Sequence, residues 1–93
     1  MYYRITKVTH GADDKDKMIS YLDSKKDMIE SIEGLHSVRL VSITDTQTIA
    51  ISKYDNAQQV ADAEEIFKQI MVGMKSFFTA APEIMHGDVF WQA

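Results

Sequence analysis

Two β-rich runs, Val38 to Ile43 and Thr48 to Tyr54, are joined by a loop centred on Asp45-Thr46-Gln47. So short a connection allows only antiparallel pairing, because a parallel crossover needs about a dozen residues. The second run alternates Ile49 and Ile51 with Ala50 and Ser52, and puts Tyr54 on the latter side. A hairpin therefore occupies the middle of the chain, and the flanking segments must pack against a sheet.

Each flank supplies one strand and one helical stretch. Residues 2–10 mix Tyr, Ile, Val and Thr, a β-forming set, before Gly11 interrupts them. Asp13, Asp14 and Asp16 suit a helix N-terminus, whose free N–H groups carry partial positive charge. Met18, Leu22, Ile29 and Ile32 form one apolar stripe, which predicts a helix to about Glu33 with Gly34 as its stop. After the hairpin, Asn56 and Gln59 stand at capping-box spacing. Val60, Ala63, Phe67, Ile70, Met74 and Phe77 follow at threes and fours, giving the second helix one apolar face. Gly73 reads as a bend or as a break that makes two shorter helices of it, and Pro82 as the end of the helical region. Gly87 to Gln92 reads as the last strand, with His86 in the loop before it.

The order β-α-β-β-α-β predicts a ferredoxin-like α+β fold, a four-stranded antiparallel sheet with both helices on one face. The 93 residues suffice for a single domain, 1–93. The uncovered face of such a sheet should read polar in a monomer. Here residues 38–43, 49–51 and 89–91 put large apolar groups on both faces. A chain this small also has a marginal core. Both points predict a homodimer that buries the second face, with Trp91 in its core or interface.

Composition removes several function classes. Ten Lys plus Arg against fourteen Asp plus Glu give a net charge of −4, the wrong sign for a general nucleic-acid binder. Without cysteine there is no thiolate metal site, disulfide or thiol nucleophile. The glycines are scattered, so no glycine-rich loop awaits NAD, flavin or a nucleotide phosphate, and no cofactor is expected. The three histidines match no metal spacing, and the Asp13–Lys17 run lacks the glycine and closing glutamate of a calcium loop. The first residues lack the apolar core of a signal peptide. The longest apolar stretch, 66–81, is interrupted by Lys68, Gln69 and Lys75, so no membrane span and a cytoplasmic setting are expected.

Four residues stand out as candidates for chemistry. Lys25 lies three after Leu22 and four before Ile29, inside the apolar stripe. A cation there can meet an anionic substrate or an enolate oxygen, or serve as a base when desolvated. Its long stem can equally run along the core edge and deliver the amine to water, and a kink at Asp23-Ser24 would do the same. His10 ends one strand and His36 begins another; each is a general-base candidate or a structural histidine. Tyr54, like Tyr3, Phe90 and Trp91, lines either a pocket or a dimer core. Arg4 and Arg39 are assigned to sheet edges or to salt bridges across the dimer.

The stretch Ile49-Ala50-Ile51-Ser52-Lys53-Tyr54-Asp55-Asn56-Ala57-Gln58-Gln59 resembles the strand, aromatic end, polar cap and helix of the dimeric α/β-barrel superfamily, in its antibiotic-biosynthesis-monooxygenase-like branch. The ending His86-Gly87-Asp88-Val89-Phe90-Trp91 is similar to the last strand of many uncharacterised members. The resemblance spans nearly the whole chain in element order. It implies two sheets paired into a barrel, with a ligand pocket between sheet and helices in each subunit. It also implies cofactor-independent oxygenation of electron-rich aromatics or oxidative haem breakdown. Tyr54 stands where active members usually carry Trp. The haem-degrading branch's histidine on the second helix and asparagine on the first strand have no counterpart in 57–81 or 2–10.

The expected function is that of a homodimeric small-molecule-binding protein, a cofactor-independent monooxygenase-like enzyme acting on an apolar aromatic or carbonyl compound. The alternatives are a non-catalytic carrier or sensor, and a homodimeric interaction module. The first two require an enclosed pocket, the third a filled interior and an exposed apolar patch outside the dimer interface.

Overall fold

A computed structural model describes residues 1–93. Its elements are β1 (Tyr2–Thr9), α1 (Lys15–Ser24), α2 (Lys26–Glu30), β2 (Leu35–Thr44), β3 (Gln47–Tyr54), α3 (Ala57–Asp62), α4 (Glu64–Met74), a 3-10 turn (Lys75–Phe77) and β4 (Glu83–Asp88). The four strands run in the order β2-β3-β1-β4, antiparallel at every contact. This is the ferredoxin-like arrangement that the sequence predicts, with β1 and β3 in the centre.

Local chemistry explains the elements and their departures from expectation. Asn56 accepts a hydrogen bond from the Gln59 N–H, so the predicted cap forms. The first helix is broken at Lys25 instead of running through to Glu33. The Ser24 hydroxyl donates to the Tyr21 carbonyl, the acceptor that Lys25 N–H would use in a continuous helix. Lys25 N–H turns to the Leu22 carbonyl instead, 3.0 Å away. Gly34 has φ +79°, the left-handed conformation that the glycine stop supplies. The second helix breaks at Ala63, not at Gly73. Helix ends before Pro82: Phe78 is extended, bridges His10, and is followed by Thr79 N–H donating to Thr9.

Gly73 serves close approach between helices. A Cβ there would collide with the ring and hydroxyl of Tyr21, which donates to the Ile70 carbonyl at 3.0 Å. Gly73→Ala gains about 1 kcal/mol of helix propensity. It must also displace Tyr21, and overpacking costs about 1–3 kcal/mol. The expected net result is a lower urea midpoint; a raised midpoint would mean that Tyr21 does not set the α1–α4 spacing.

The last strand is Glu83–Asp88, not Gly87–Gln92, and His86 lies on it. β4 pairs with β1 from Lys7↔Glu83 to Tyr2↔Asp88, and past Asp88 only the Met1 carbonyl remains to accept from Val89. Without a partner strand, residues 89–93 leave the sheet, and Phe90 and Trp91 are exposed.

The sheet has two unlike faces. Arg4, Thr6 and Val8 on β1 share the helix side with Thr48, Ala50, Ser52 and Tyr54 on β3. Two core clusters sit there: Val8 with Met18 and Met74, and Tyr54 with Val60 and Ala63. The opposite side carries Ile5, Ile49, Ile51, Val41, Ile43 and Met85, the last three exposed. β2 contains a bulge at His36, which lets Leu35 and Val38 both face the helices.

Candidate functional site

Between the two core clusters lies a cavity of about 80 Å³. Of its 19 lining residues 15 are hydrophobic, so the few polar groups set its chemistry. The helical stripes read from the sequence form its roof: Met18, Leu22 and Ile29 from α1 and α2, Phe67 and Ile70 from α4. Thr6, Thr48 and Ser52 are on its floor. A shallower groove of about 380 Å³ shares Leu22, Ile29, Leu35, Val38 and Leu40 with it and continues to His36, Asp23, Lys26 and Glu30. The cavity therefore opens between α1–α2 and β2, where Val38 and Leu40 are only partly covered.

The charged end of the cavity is Arg4. It is 2% exposed, on a central strand, facing the helices. Its Nη2 donates to Glu64 Oε2 at 3.0 Å and to the Val60 carbonyl at 3.3 Å, and its Nη1 to the Tyr54 hydroxyl at 3.5 Å. The guanidinium stacks over Phe67, 3.7 Å from the ring centroid. Arg4 thus corrects its assignment to a sheet edge or an intersubunit bridge: its ionic partner is in the same chain. Arg39 is exposed on β2. A sequence signal for Arg4 did exist. In a β-α-β-β-α-β sheet the first strand is central, and Arg4 shares parity with Thr6, Val8 and His10, opposite to Ile5.

Tyr54 lines the same end and is 2% exposed. Burial raises its pKa from the ordinary 10.0, opposed by the positive charge of Arg4 and assisted by the negative charge of Glu64. The folded state thus keeps the phenol proton to higher pH than the unfolded chain does. The resulting stability is complete below pH 10 and is lost as pH rises through the folded value. Wild-type stability minus that of Tyr54→Phe should fall with pH above about 10, measured by urea unfolding. A pH-independent difference would contradict the burial of an un-ionised phenol here.

The other sequence candidates are distributed around this centre. His10 is buried, with Nδ1 2.9 Å from the Gly11 carbonyl and Nε2 2.9 Å from Thr48 Oγ1. In the neutral ring Nδ1–H donates to that carbonyl, and Nε2 accepts from the hydroxyl that reaches the cavity floor. His36 is partly exposed in the groove and pairs with Asp55. Lys25 is half-buried at the α1–α2 break with its amine 5.9 Å from the Tyr21 ring centroid, and it does not line the cavity. Only Tyr54, of the four, joins the cavity's polar end.

No family model matches the sequence, and no curated protein matches it. Solved structures do match in fold. A monooxygenase of Streptomyces coelicolor from the ActVA-Orf6 gene, in complex with nanaomycin D, superposes with a TM-score of 0.83 at 12% identity, covering 99% of this chain and 89% of that one. SnoaB, a cofactor-independent oxygenase of Streptomyces nogalater, gives 0.81 at 10% identity over 98% and 94%. A protein of Mycobacterium tuberculosis gives 0.79 at 12% identity over 99% and 97%. The chain has the fold of the antibiotic biosynthesis monooxygenase-like proteins.

Proposed function

We propose that this chain is a homodimeric, cytoplasmic small-molecule-binding protein of the cofactor-independent monooxygenase type. Its ligand is an apolar aromatic or carbonyl compound held between sheet and helices. The observation that carries this reading is an apolar cavity whose one charged end joins the Arg4 guanidinium to the Tyr54 phenol. Such a chamber holds a ring by its apolar walls and orients it by one oxygen. An empty cavity of about 150 Å³ admits benzene. The 80 Å³ here thus takes a ring when α1–α2 move outward from β2, along the groove already open between them.

The chemistry needs little from the protein. A substrate that loses a proton to become an enolate or phenolate is itself the reductant of O2. One oxygen atom enters the substrate as a carbonyl and the other leaves as water, so the balance closes without an outside reductant. Arg4 and the Tyr54 hydroxyl stabilise the charge on the substrate oxygen in a water-poor site. His10 fixes the Thr48 hydroxyl on the floor and His36 stands at the groove, while Lys25, outside both linings, takes no part. The apolar outer face of the sheet, with Ile5, Ile49 and Ile51 at its centre, pairs with a second copy.

Native mass spectrometry with added 1-naphthol tests the binding half. The expected result is a dimer carrying one naphthol per subunit; a monomer, or a dimer that takes none, would overturn the corresponding half. Oxygen uptake tests the chemistry. One O2 consumed per 1,4-naphthoquinone formed supports oxygenation, and binding without uptake assigns the chain to carriage of the same ligand class.

A further inference from the structure

Arg4 has more hydrogen-bonding capacity than the protein uses. Its two terminal nitrogens serve Glu64, Val60 and Tyr54, while its Nε–H has no protein acceptor. The Tyr54 hydroxyl accepts from Arg4 and donates to no protein group. Thr6, 3% exposed and also in the cavity lining, makes no side-chain hydrogen bond. Yet no buried side-chain nitrogen or oxygen closed off from solvent-sized space lacks a partner. Arg4, Thr6 and Tyr54 all line the cavity. Arg4 is the only charged residue in its lining.

Its counter-charge is held differently. Glu64 is 46% exposed, against 2% for Arg4. The carboxylate can swing into water while the guanidinium stays fixed by Phe67, Val60 and its place on a central strand. The titratable groups facing Arg4 are Tyr54 from β3 and Glu64 from α4. His86, its cross-strand neighbour on β4, is engaged by the Tyr2 hydroxyl. Only Glu64 competes as an anion for this arginine.

We infer that Arg4 determines specificity in this cavity by selecting ligands that present an ionised oxygen, a phenolate or enolate, and that Glu64 is the anion such a ligand displaces. This deepens the function proposed above and rests on it. A neutral ligand leaves the Arg4–Glu64 pair intact and gains only apolar contact. An anionic one takes over the guanidinium fork, at the cost of moving a carboxylate that water already reaches.

Two probes of similar shape separate the possibilities: nitrobenzene, and 4-nitrophenol, which ionises near neutrality and is yellow only as the phenolate. Bound 4-nitrophenol is expected to show a phenolate-to-phenol ratio about tenfold above that in buffer, the effect of one nearby opposite charge. Arg4→Met should abolish that enrichment and leave nitrobenzene binding in place. Should Arg4→Met fail to fold, Glu64→Gln decides, since its amide still accepts from Arg4 and its site is half-exposed. That variant should bind the phenolate several-fold more tightly and nitrobenzene unchanged. An unaltered phenolate ratio on binding, or equal effects of Glu64→Gln on both probes, would overturn the inference while the cavity reading stands. Failure of the native chain to bind either probe would bring down the cavity reading and the inference with it.

Discussion

Ile51→Asp is expected to turn a dimer into a monomer. Ile51 lies on the central strand β3, paired with Ile5 on β1 and Arg39 on β2, on the face away from the helices. Apart from Arg39 its nearest cross-strand surroundings there are apolar, with Val41, Ile43 and Met85 exposed at the margins. In a homodimer through this face, the introduced carboxylate and its symmetry mate would both be stripped of water, with only the Arg39 side chain beside each to offset the charge. A penalty of about 4 kcal/mol weakens association about a thousandfold. Sedimentation velocity at micromolar concentration reads this as a halved mass. Val72→Asp makes the same charge change on the outer side of α4, where Val72 is 72% exposed, and should leave the mass unaltered. A dimeric Ile51→Asp protein would exclude the sheet face as the interface. Trp91 adds an independent probe. It is 75% exposed in the subunit, so Trp91→Ala affects assembly only through a partner. The expected loss is about 2 kcal/mol of dimer stability, as for a buried aromatic anchor, and an unchanged dissociation constant would place the ring outside the interface.

The sequence was legible wherever a pattern was local and periodic. The central hairpin, the Asn56 cap and both apolar helical stripes appear in the structure because each depends on residues within a few positions of one another. Reading failed where a distant partner, or a local contact with no periodic signature, decides. The end of β4 depends on where β1 begins, so Val89 to Trp91, strand-like in composition, lies beyond the sheet. The break at Lys25 depends on a serine hydroxyl competing for a main-chain carbonyl. In the site, Tyr54 could be found from strand parity alone, because an aromatic at the strand's end on the Ala50–Ser52 side has to meet the helices. Arg4 was hidden because a charge is ordinarily read as solvent-facing. Its burial follows only when central-strand position, side-chain parity and an acidic residue sixty positions away are taken together.

Arg4→Ala carries the largest expected effect on stability, a loss of about 3 kcal/mol. For a domain of this length that is a fall of about 15 °C in Tm. The substitution removes the stack on Phe67, strips a donor from the Val60 carbonyl and Tyr54 hydroxyl, and enlarges an existing cavity. Arg4→Lys should recover little, since an ammonium cannot stack on Phe67 as a planar fork while reaching Tyr54, Val60 and Glu64 together. The double replacement Arg4→Met with Glu64→Met is the more telling variant. A buried ion pair exchanged for well-packed apolar groups is often neutral or stabilising. The double variant is therefore expected to regain most of the roughly 3 kcal/mol by urea unfolding and to bind neutral aromatics but not phenolates. Recovery of stability without recovery of phenolate binding would show that the fold does not need this buried charge and that the ligand does. A double variant as unstable as Arg4→Ala would instead make the arginine a structural element of the core.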